Sequence, residues 1–265
     1  MKVSIITVCK NVENAIERTI LSVVTQSCFN GNIEYLIIDG ASTDKTAEII
    51  KQYSDKYPIK WISEPDSGIY NAMNKGIKLA TGDYLLFLNA GDYLIHYNVI
   101  KLLMNLFESN KYDIIYGNAL YADPSTGQYH IEAKPNHESF FFYEDALPHQ
   151  TIFYKKNLFD KFGLYDEKFT ILADNVLNKQ MVCDGNASII HLDQIISVFT
   201  QDGISSTNNK LNNEERTIFQ KLYFSKKEMI EVQRHLLLRK RENQKSIFRL
   251  LSKIFMKLHK HWINR

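Results

Sequence analysis

The stretch GDYLLFLNAGD, residues 82–92, determines how the first half of the chain is interpreted. It begins at a glycine, continues through five apolar or aromatic residues at 84–88, and ends in the turn-forming sequence NAGD. An uninterrupted apolar run of this length is typical of a strand that is buried on both faces of a parallel sheet. Ligands of such sheets bind beyond the carboxyl ends of the strands, where Asp92 lies. The alternative is a turn that only ends the strand, because Asn, Gly and Asp all form turns.

The sequence around this stretch predicts an alternation of strands and helices. Strands are expected at residues 3–8, 33–38, 59–62 and 84–88, and helices at residues 15–25, 45–57 and 69–79. Ser42 or Thr43 is expected to cap the second helix. This order predicts an α/β fold with a mostly parallel central sheet, right-handed crossovers and helices on both faces.

The alternation weakens after residue 100. We expect helices at 98–109, 156–162 and 175–183, strands at 113–116, 151–154, 187–192 and 195–199, and a hairpin turn at 123–127. From about residue 212 the pattern is helical to the end. The predicted organisation is a unit of residues 1–210, with halves 1–100 and 101–210, and a helical extension of residues 211–265.

Composition restricts the class of protein. A chain of 265 residues with 45% hydrophobic and 23% charged residues is typical of a globular protein with a sizeable core. The three cysteines are scattered, which favours neither a disulfide framework nor a zinc site. No signal peptide and no apolar run of membrane-spanning length is evident, so the expected location is the cytoplasm.

Polar residues follow all four of the first predicted strands. They are Thr7 and Asn11, then Asp39, then Glu64 and Asp66, and finally Asp92. Because parallel strand ends converge on one crevice, a shared ligand site is favoured over a set of unrelated turns. The glycine-rich dinucleotide fingerprint, the P-loop and the G-x-S-x-G elbow are all absent from the sequence, which weighs against dehydrogenases, kinases and serine hydrolases.

Four segments of the first hundred residues resemble family 2 glycosyltransferases, which have the Rossmann-like GT-A fold. They are VSIITV (3–8), EYLIIDGASTDKT (34–46), EPDSGIYNAMNKGI (64–77) and ATGDYLLFLNAGD (80–92). In detail the chain is similar to bacterial enzymes that build O-antigen, capsule or colanic-acid repeat units. The resemblance implies transfer of a hexose or hexosamine from a nucleotide-diphosphate sugar, with UDP the expected nucleotide, to a polyprenyl-diphosphate-linked saccharide.

The resemblance also assigns roles on the nucleotide side. Thr7, Asn11 and Glu13 match the loop that receives the nucleoside, and Asp39 matches the acid that reads the base. Further residues expected to bind the nucleotide sugar are Asp66, Asn74, Lys75, Asn89 and Asp92. Met73 stands where relatives have an arginine, so that contact is expected to be either lost or supplied by Lys75.

The resemblance implies a divalent cation, Mn²⁺ or Mg²⁺, at the end of the opening stretch. Residues 89–92 match the family's D-x-D-type motif, of which only Asp92 keeps the carboxylate, and His191 is a second expected ligand. One carboxylate is sufficient where substrate phosphates and water supply the other oxygens. The cation would offset the negative charge that grows on the leaving diphosphate.

The segment GLYDEKFTILAD, residues 163–174, resembles the stretch that leads to the family's catalytic acid. This resemblance places the general base for an inverting transfer on Asp174. The alternative role for Asp174 is capping of the following helix. His149, Gln150 and Asp202 are expected on the acceptor side, the last in a loop that resembles the family's Gly-Gly-x-Ser sequence.

Basic residues dominate the end of the chain. Between residues 239 and 265 nine Lys or Arg residues face one acid, Glu242, and apolar residues recur at helical spacing up to Trp262. A basic amphipathic helix is typical of proteins that bind an anionic membrane surface. We expect binding at the inner face of the cell membrane and no nucleic-acid partner, although a helix packed on the domain and a phosphate-binding helix remain alternatives.

Two other functions remain open from the sequence. A non-catalytic nucleotide-sugar-binding or assembly protein is suggested by Asn89, Met73 and Asn175, which stand at positions where relatives have charged or aromatic residues. A nucleotidyltransferase on a similar sheet is the weaker alternative, because the first loop has no glycine-rich sequence.

Overall fold

The structure is a computed structural model that describes residues 1–123, 126–135, 139–200 and 208–239. The first half contains β1 (Val3–Cys9), α1 (Ile16–Val24), α2 (Phe29–Asn32), β2 (Ile33–Asp39), α3 (Thr46–Ser54), β3 (Ile59–Ser63), α4 (Ile69–Leu79), β4 (Tyr84–Phe87), β5 (Tyr93–Leu94) and α5 (Val99–Ser109).

The second half contains shorter and more varied elements. They are β6 (Ile114–Asp123), β7 (Gln128–Glu132), α6 (Ser139–Glu144), a 3-10 turn (His149–Thr151), β8 (Ile152–Lys155), α7 (Asn157–Phe162), α8 (Ala173–Lys179), a π-helical turn (Gln180–Asp184), β9 (Ile189–Thr200), α9 (Asn209–Tyr223) and a helix α10 (226–239).

The nine strands of the described residues form one sheet in the order β3-β2-β1-β4-β8-β6-β9-β5, and β7 pairs with β6. The first four strands are parallel, β8 is antiparallel to β4, and β9 is parallel to β6. The predicted α/β architecture is confirmed, with the parallel strands concentrated in the first hundred residues. The strand order reverses at β1. β2 and β3 are added on one side of β1, whereas β4 lies on its other side.

The residues of the opening stretch are buried on both faces of this sheet, as the sequence predicts. Every residue from 84 to 88 has no exposed surface. Leu85 and Phe87 belong to one hydrophobic cluster, whereas Tyr84, Leu86 and Leu88 belong to the cluster on the opposite face. Helices therefore cover both sides of β4, which explains why its sequence shows no polar alternation.

Several boundaries differ from the sequence prediction. The two strands expected at 187–192 and 195–199 are one strand, β9, whose pairing with β6 has register shifts near Asn118. The expected cap of the second helix at Ser42 or Thr43 is wrong, because α3 begins at Thr46 and the Asp44 carboxylate accepts the Thr46 N–H at 3.0 Å. β6 and β7 pair on either side of the predicted hairpin turn.

The last described helices pack on the core. Phe219 of α9 is completely buried, and Phe224 and Val232 are nearly so. The predicted boundary at residue 210 therefore falls inside α9, and the division into two domains stays a prediction. The basic residues from 240 to the end lie outside the described residues. Among the helices that the structure does describe, none has the length and apolar content needed to cross a membrane.

Glu34, at the beginning of β2, links the four parallel strands β1 to β4. Its carboxylate accepts hydrogen bonds from Ser4 Oγ of β1 at 2.6 Å and from Thr81 N, before β4, at 2.7 Å. Lys60 of β3 forms an ion pair with it at 2.8 Å. Burial opposes ionisation, but the bonds from Lys60, Ser4 and Thr81 outweigh it and lower the pKa of Glu34 to about 2.

We expect this carboxylate to make the fold sensitive to acid. A group whose pKa is lower in the folded chain contributes stability above its unfolded pKa of 4.5, and this contribution is lost as the pH falls through about 2. The Glu34→Gln variant should lose about 2 kcal/mol of unfolding free energy at neutral pH, after allowance for solvent around Lys60. Urea titrations at neutral pH and across that acid window measure the effect, with the exposed Glu48→Gln as control. Equal acid dependence in both variants would contradict the assignment.

Candidate active site

A cavity of about 790 Å³ opens at the carboxyl ends of β1 and β4. This is where the strand order reverses direction, the usual ligand position in open α/β sheets. The charged and amide-bearing side chains that line the cavity come from both halves of the chain: Lys10, Asp66, Asn89, Asp92, Lys134, Asp145, His149, Gln150, Asp174, Asn212 and Arg216.

Asp174, His149 and Asn89 form a hydrogen-bonded chain along the cavity wall. His149 Nδ1 lies 3.4 Å from Asp174 Oδ2, and His149 Nε2 lies 3.0 Å from Asn89 Nδ2. An amide nitrogen only donates, so His149 Nε2 accepts and the proton of the neutral ring is on Nδ1, facing Asp174. The chain connects the end of β4 to the beginning of α8.

The pKa of His149 reflects the acids around it. Burial lowers the pKa, but the hydrogen bond to Asp174 and the charges of Asp174 and Asp92 outweigh burial and raise it above the ordinary value. The imidazole therefore accepts a second proton more readily than a histidine in water. An imidazolium here would be stabilised by the carboxylates of Asp174 and Asp92.

Asp174 is held in a fixed orientation by its neighbours. Its Oδ1 accepts a hydrogen bond from Tyr70 OH of α4 at 3.0 Å and another from the Asn175 N–H at 2.8 Å. The alternative role as helix cap is wrong, because α8 begins at Ala173 and Asp174 lies in its first turn. Asn175 is completely buried and its Nδ2 donates to Phe142 O at 3.2 Å, so its side chain is structural.

Glu215 of α9 fixes the segment that precedes Asp174. Its buried carboxylate accepts hydrogen bonds from three successive backbone N–H groups, those of Thr170 at 2.6 Å, Ile171 at 2.9 Å and Leu172 at 3.0 Å. Three charge-assisted bonds leave this turn little freedom. Asp174 therefore approaches the cavity from a segment that is tied to a helix about 40 residues later in the chain.

The turn that carries Asp92 is fastened to α1. Thr19 Oγ1 accepts the Gly91 N–H at 2.9 Å and donates to Asp92 O at 2.7 Å, and Arg18 donates to Gly91 O at 2.8 Å. Gly91 has a φ of 105°, a conformation that only glycine adopts readily. This geometry presents the Asp92 side chain, which is almost completely buried, to the cavity.

The residues at this corner fit a divalent cation that takes most of its ligands from phosphate and water. Asp92 contributes a carboxylate, and Asn89 Oδ1 is a buried amide oxygen without a hydrogen-bond partner among the described residues. Both are hard oxygen ligands of the kind that Mg²⁺ and Mn²⁺ prefer. The described part of the chain contains no cluster of three His, Cys, Asp or Glu residues that would hold a metal unaided.

His191 is not part of this corner. Its Nε2 hydrogen-bonds to Asn118 Oδ1 at 2.7 Å and its ring packs against Tyr116, and it is absent from the cavity lining. The expectation of His191 as a metal ligand is therefore wrong. Its position on β9, paired with Tyr116 of β6, directs it to a different neighbourhood from that of Asp92.

Thr7 and Asp39 lie beneath the cavity rather than on its surface. Both are completely buried, and neither is among the lining residues. Thr7 donates to Leu88 O at 2.8 Å, while Asp39 accepts hydrogen bonds from Ser42 and from Ser63 Oγ. In this state of the protein Asp39 organises the loops after β2 and β3, and its role in reading a base stays a prediction.

Asn11, Glu13 and Asp66 lie in the loops that follow β1 and β3. Asn11 Oδ1 accepts the Thr43 N–H at 2.8 Å, and Glu13 accepts the Lys45 N–H at 2.9 Å. Asp66 alone of the three lines the cavity. The Asp66 carboxylate occupies the space that a Cβ at Gly40 would need, so glycine at that position permits the close approach.

Asn74 and Lys75 do not reach the cavity. Asn74 Nδ2 donates to Tyr165 O and to Glu167, both at 3.0 Å, and thereby joins α4 to the segment before Asp174. Lys75 forms an ion pair with Glu64 at 2.9 Å and donates to Pro65 O at 2.8 Å. Met73, at the family's arginine position, does line the cavity. The expected substitution of Lys75 for that arginine is therefore wrong in this arrangement.

The structure places His149 and Gln150 in the cavity lining, with His149 beside Asp174, and their role on the acceptor side stays a prediction. Asp202 lies outside the described residues. Tyr70, Glu215 and Arg216 are additional site residues that the sequence analysis did not identify. Tyr70 lies in the segment of residues 64–77 that resembles the family, so the sequence could have indicated it. Glu215 and Arg216 occur in a helix whose pattern indicates only an amphipathic element.

The comparisons with known proteins agree with this geometry. The model of glycosyl transferase family 2 matches residues 4–169, which is more than half of the chain. The chain belongs to this family. It is therefore a glycosyltransferase, and the family membership expected from the four sequence segments is confirmed. Asp174 and α9 both lie beyond the matched residues.

Among the family's curated members, a PGL/p-HBAD biosynthesis glycosyltransferase of Mycobacterium bovis is 28% identical over 213 residues, covering 77% of this chain and 79% of that protein. S. aureus TarS in complex with UDP-GlcNAc superposes with a TM-score of 0.67 at 20% identity, over 84% of this chain and 65% of the TarS chain. This chain thus spans just under two thirds of that structure.

A second solved structure of similar fold is a mannosyltransferase of Pyrobaculum calidifontis in complex with GDP-Man and Mn²⁺. Its TM-score is 0.61 at 14% identity, over 77% of this chain and 58% of that one. At these identities both structures show the GT-A fold alone. The family 2 assignment itself rests on the match to residues 4–169.

Proposed function

We propose that this glycosyltransferase moves a hexose or hexosamine, with inversion, from a UDP-linked donor to a lipid-linked saccharide in the synthesis of a bacterial surface polysaccharide such as O-antigen. The observation that carries the proposal is the cavity on which Asp174, His149, Asn89 and Asp92 converge from the two halves of the chain. One end offers hard oxygen ligands for a cation–diphosphate unit, and the other offers an oriented carboxylate.

On this proposal Asp174 is the general base. Its Oδ2, the oxygen facing His149, accepts the proton of the acceptor hydroxyl while the hydroxyl oxygen attacks the anomeric carbon and the bond to the diphosphate breaks. Tyr70 and the Asn175 N–H hold Oδ1, so the carboxylate does not rotate away from the acceptor. His149 faces Asp174 through Nδ1 and stabilises its charge before proton transfer.

Asp92 and Asn89 would hold Mg²⁺ or Mn²⁺ together with the donor diphosphate. The bound cation would supply electrostatic stabilisation of the charge that accumulates on the leaving group. The complex of the Pyrobaculum calidifontis mannosyltransferase with GDP-Man and Mn²⁺ supports this part of the proposal, and TarS with UDP-GlcNAc supports a UDP-linked donor.

The proposed acceptor carries a polyprenyl diphosphate and lies at the inner face of the cell membrane. The similarity to the PGL/p-HBAD biosynthesis glycosyltransferase of Mycobacterium bovis supports a lipid-linked acceptor. Basic residues near the end of the chain, outside the described residues, support peripheral binding to anionic lipids by the sequence pattern alone.

Release of nucleoside diphosphate tests the function directly. We expect one UDP-sugar, incubated with Mn²⁺ and a lipid-linked saccharide mimic, to give UDP release well above its hydrolysis without acceptor. The reaction without acceptor is the blank, and the Asp174→Asn variant, which keeps the size of the side chain, is the matched comparison for the proposed base. If no donor and acceptor combination releases UDP above the level seen without acceptor, the proposal fails.

A further inference from the structure

The guanidinium of Arg216 is a partly buried cation beside the cavity. Arg216 lies on α9 and lines the cavity, and within the described residues its hydrogen bond is from Nη1 to Tyr143 O at 3.3 Å. Burial lowers the pKa of this guanidinium, and the charges of Asp145, Asp174 and Glu144 oppose that effect only in part. Within the described residues, most of its five N–H donors have no acceptor, so they can bind a ligand.

The acids near Arg216 already have other partners. Their ion pairs are Asp145 with Lys134 at 2.5 Å, Glu144 with Arg239 at 2.9 Å, and Asp174 with His149 at 3.4 Å. No ion pair of Arg216 itself is formed among the described residues. A desolvated charge without a close counter-charge is costly, and an anionic ligand in the cavity would remove that cost.

Arg216 is also held in place. The adjacent residue, Glu215, fastens α9 to the backbone of residues 170–172, and Gln220 of the same helix donates to Tyr143 O at 2.9 Å. The guanidinium therefore projects from a helix that is hydrogen-bonded to residues 170–172 and to Tyr143. A fixed guanidinium suits the bidentate recognition of phosphate oxygens.

We propose that Arg216 binds a phosphoryl group of a substrate in this cavity. The ligand chemistry is a phosphate or diphosphate anion, and two substrates of the proposed function carry it: the nucleotide donor and the lipid diphosphate of the acceptor. The choice of these two sources rests on the proposed function, whereas the anion site itself rests on the geometry. In either case Arg216 would touch the substrate next to the carboxylate of Asp174.

Binding measurements without turnover test this inference. The probes are UDP with uridine as its neutral counterpart, and farnesyl diphosphate with farnesol as its neutral counterpart, each titrated in the presence of Mg²⁺ by calorimetry. We expect Arg216→Gln to weaken one diphosphate probe by roughly 10- to 100-fold and to leave its neutral counterpart unchanged. Loss of UDP affinity assigns the site to the donor, and loss of farnesyl diphosphate affinity assigns it to the acceptor.

The matched control is Lys210→Gln, which removes the same charge from the solvent-exposed side of α9, and it should change neither affinity. If thermal unfolding shows that Arg216→Gln is destabilised, the same titrations are repeated with Arg216→Met, which removes the charge but keeps the aliphatic part of the side chain. Unchanged affinity for both diphosphates overturns the inference, as does a wild type that binds neither diphosphate better than its neutral counterpart. Intact UDP binding without sugar transfer would instead count against the proposed function alone.

Discussion

The Asp174→Asn variant should lose nearly all transfer activity while it keeps its fold and its affinity for UDP. The amide has the size of the carboxylate, and its oxygen still accepts the hydrogen bonds from Tyr70 and from the Asn175 N–H. It cannot accept the proton of the acceptor hydroxyl, so the expected decrease in kcat is roughly 10²- to 10⁴-fold, the range found for general bases.

Single-turnover kinetics with saturating donor and acceptor measure this decrease without interference from product release. Asp160→Asn is the control, because Asp160 is an exposed acid on α7 and lies outside the cavity. A variant of Asp174 that retains activity within a factor of about two would exclude it as the base, since general-base catalysis contributes far more than this. Asp66 and Asp145, the cavity carboxylates that the proposal leaves without a role, would then be the next to test.

The Asp92→Asn variant should abolish the dependence of donor binding on a divalent cation. Asp92 supplies the only carboxylate of the NAGD turn, and the amide that replaces it would hold a cation much more weakly. On the proposed function a bound cation would stabilise the leaving diphosphate by several kcal/mol, so transfer should fall by roughly 10³-fold.

Calorimetric titration of UDP, with MnCl₂ and with EDTA, measures the cation dependence. The control is Asp83→Asn, which lies in the same stretch of sequence at the opposite end of β4 and accepts a hydrogen bond from Lys2 N at 2.7 Å. Wild-type affinity that is equal with and without the cation, or a variant that keeps the cation dependence, would show that Asp92 is not a metal ligand. The structural assignment of the NAGD turn as a cation site would then be wrong.

The first half of the fold was predictable from sequence because its signals are local. The strand at residues 84–87 is apolar throughout because helices cover both of its faces, and a continuous apolar run between turn residues is typical of such a strand. The helix at 69–79 was predicted with its observed boundaries, since Gly68 and Gly82 flank a regular apolar pattern. Each of these signals lies within about a dozen residues of the element that it specifies.

The site was predictable only in part because its remaining contacts join distant segments. The carboxylate of Glu215 meets the N–H groups of residues 170–172, and the side chain of Asn74 turns to Tyr165 instead of the cavity. Neither contact leaves a periodic pattern in the sequence. Side-chain direction also decided the outcome for Asp39, which follows a strand as expected but faces Ser42 and Ser63.

The hydrogen bonds of Glu215 have a consequence for the design of chimeras. The residues that match the family model end at 169, and a junction there keeps residues 170–172 and α9 from the same parent. A junction between α8 and α9 would instead pair the Thr170–Leu172 amides with a foreign helix and leave three donors without their acceptor. A functional swap must therefore transfer α9 together with the segment around Asp174.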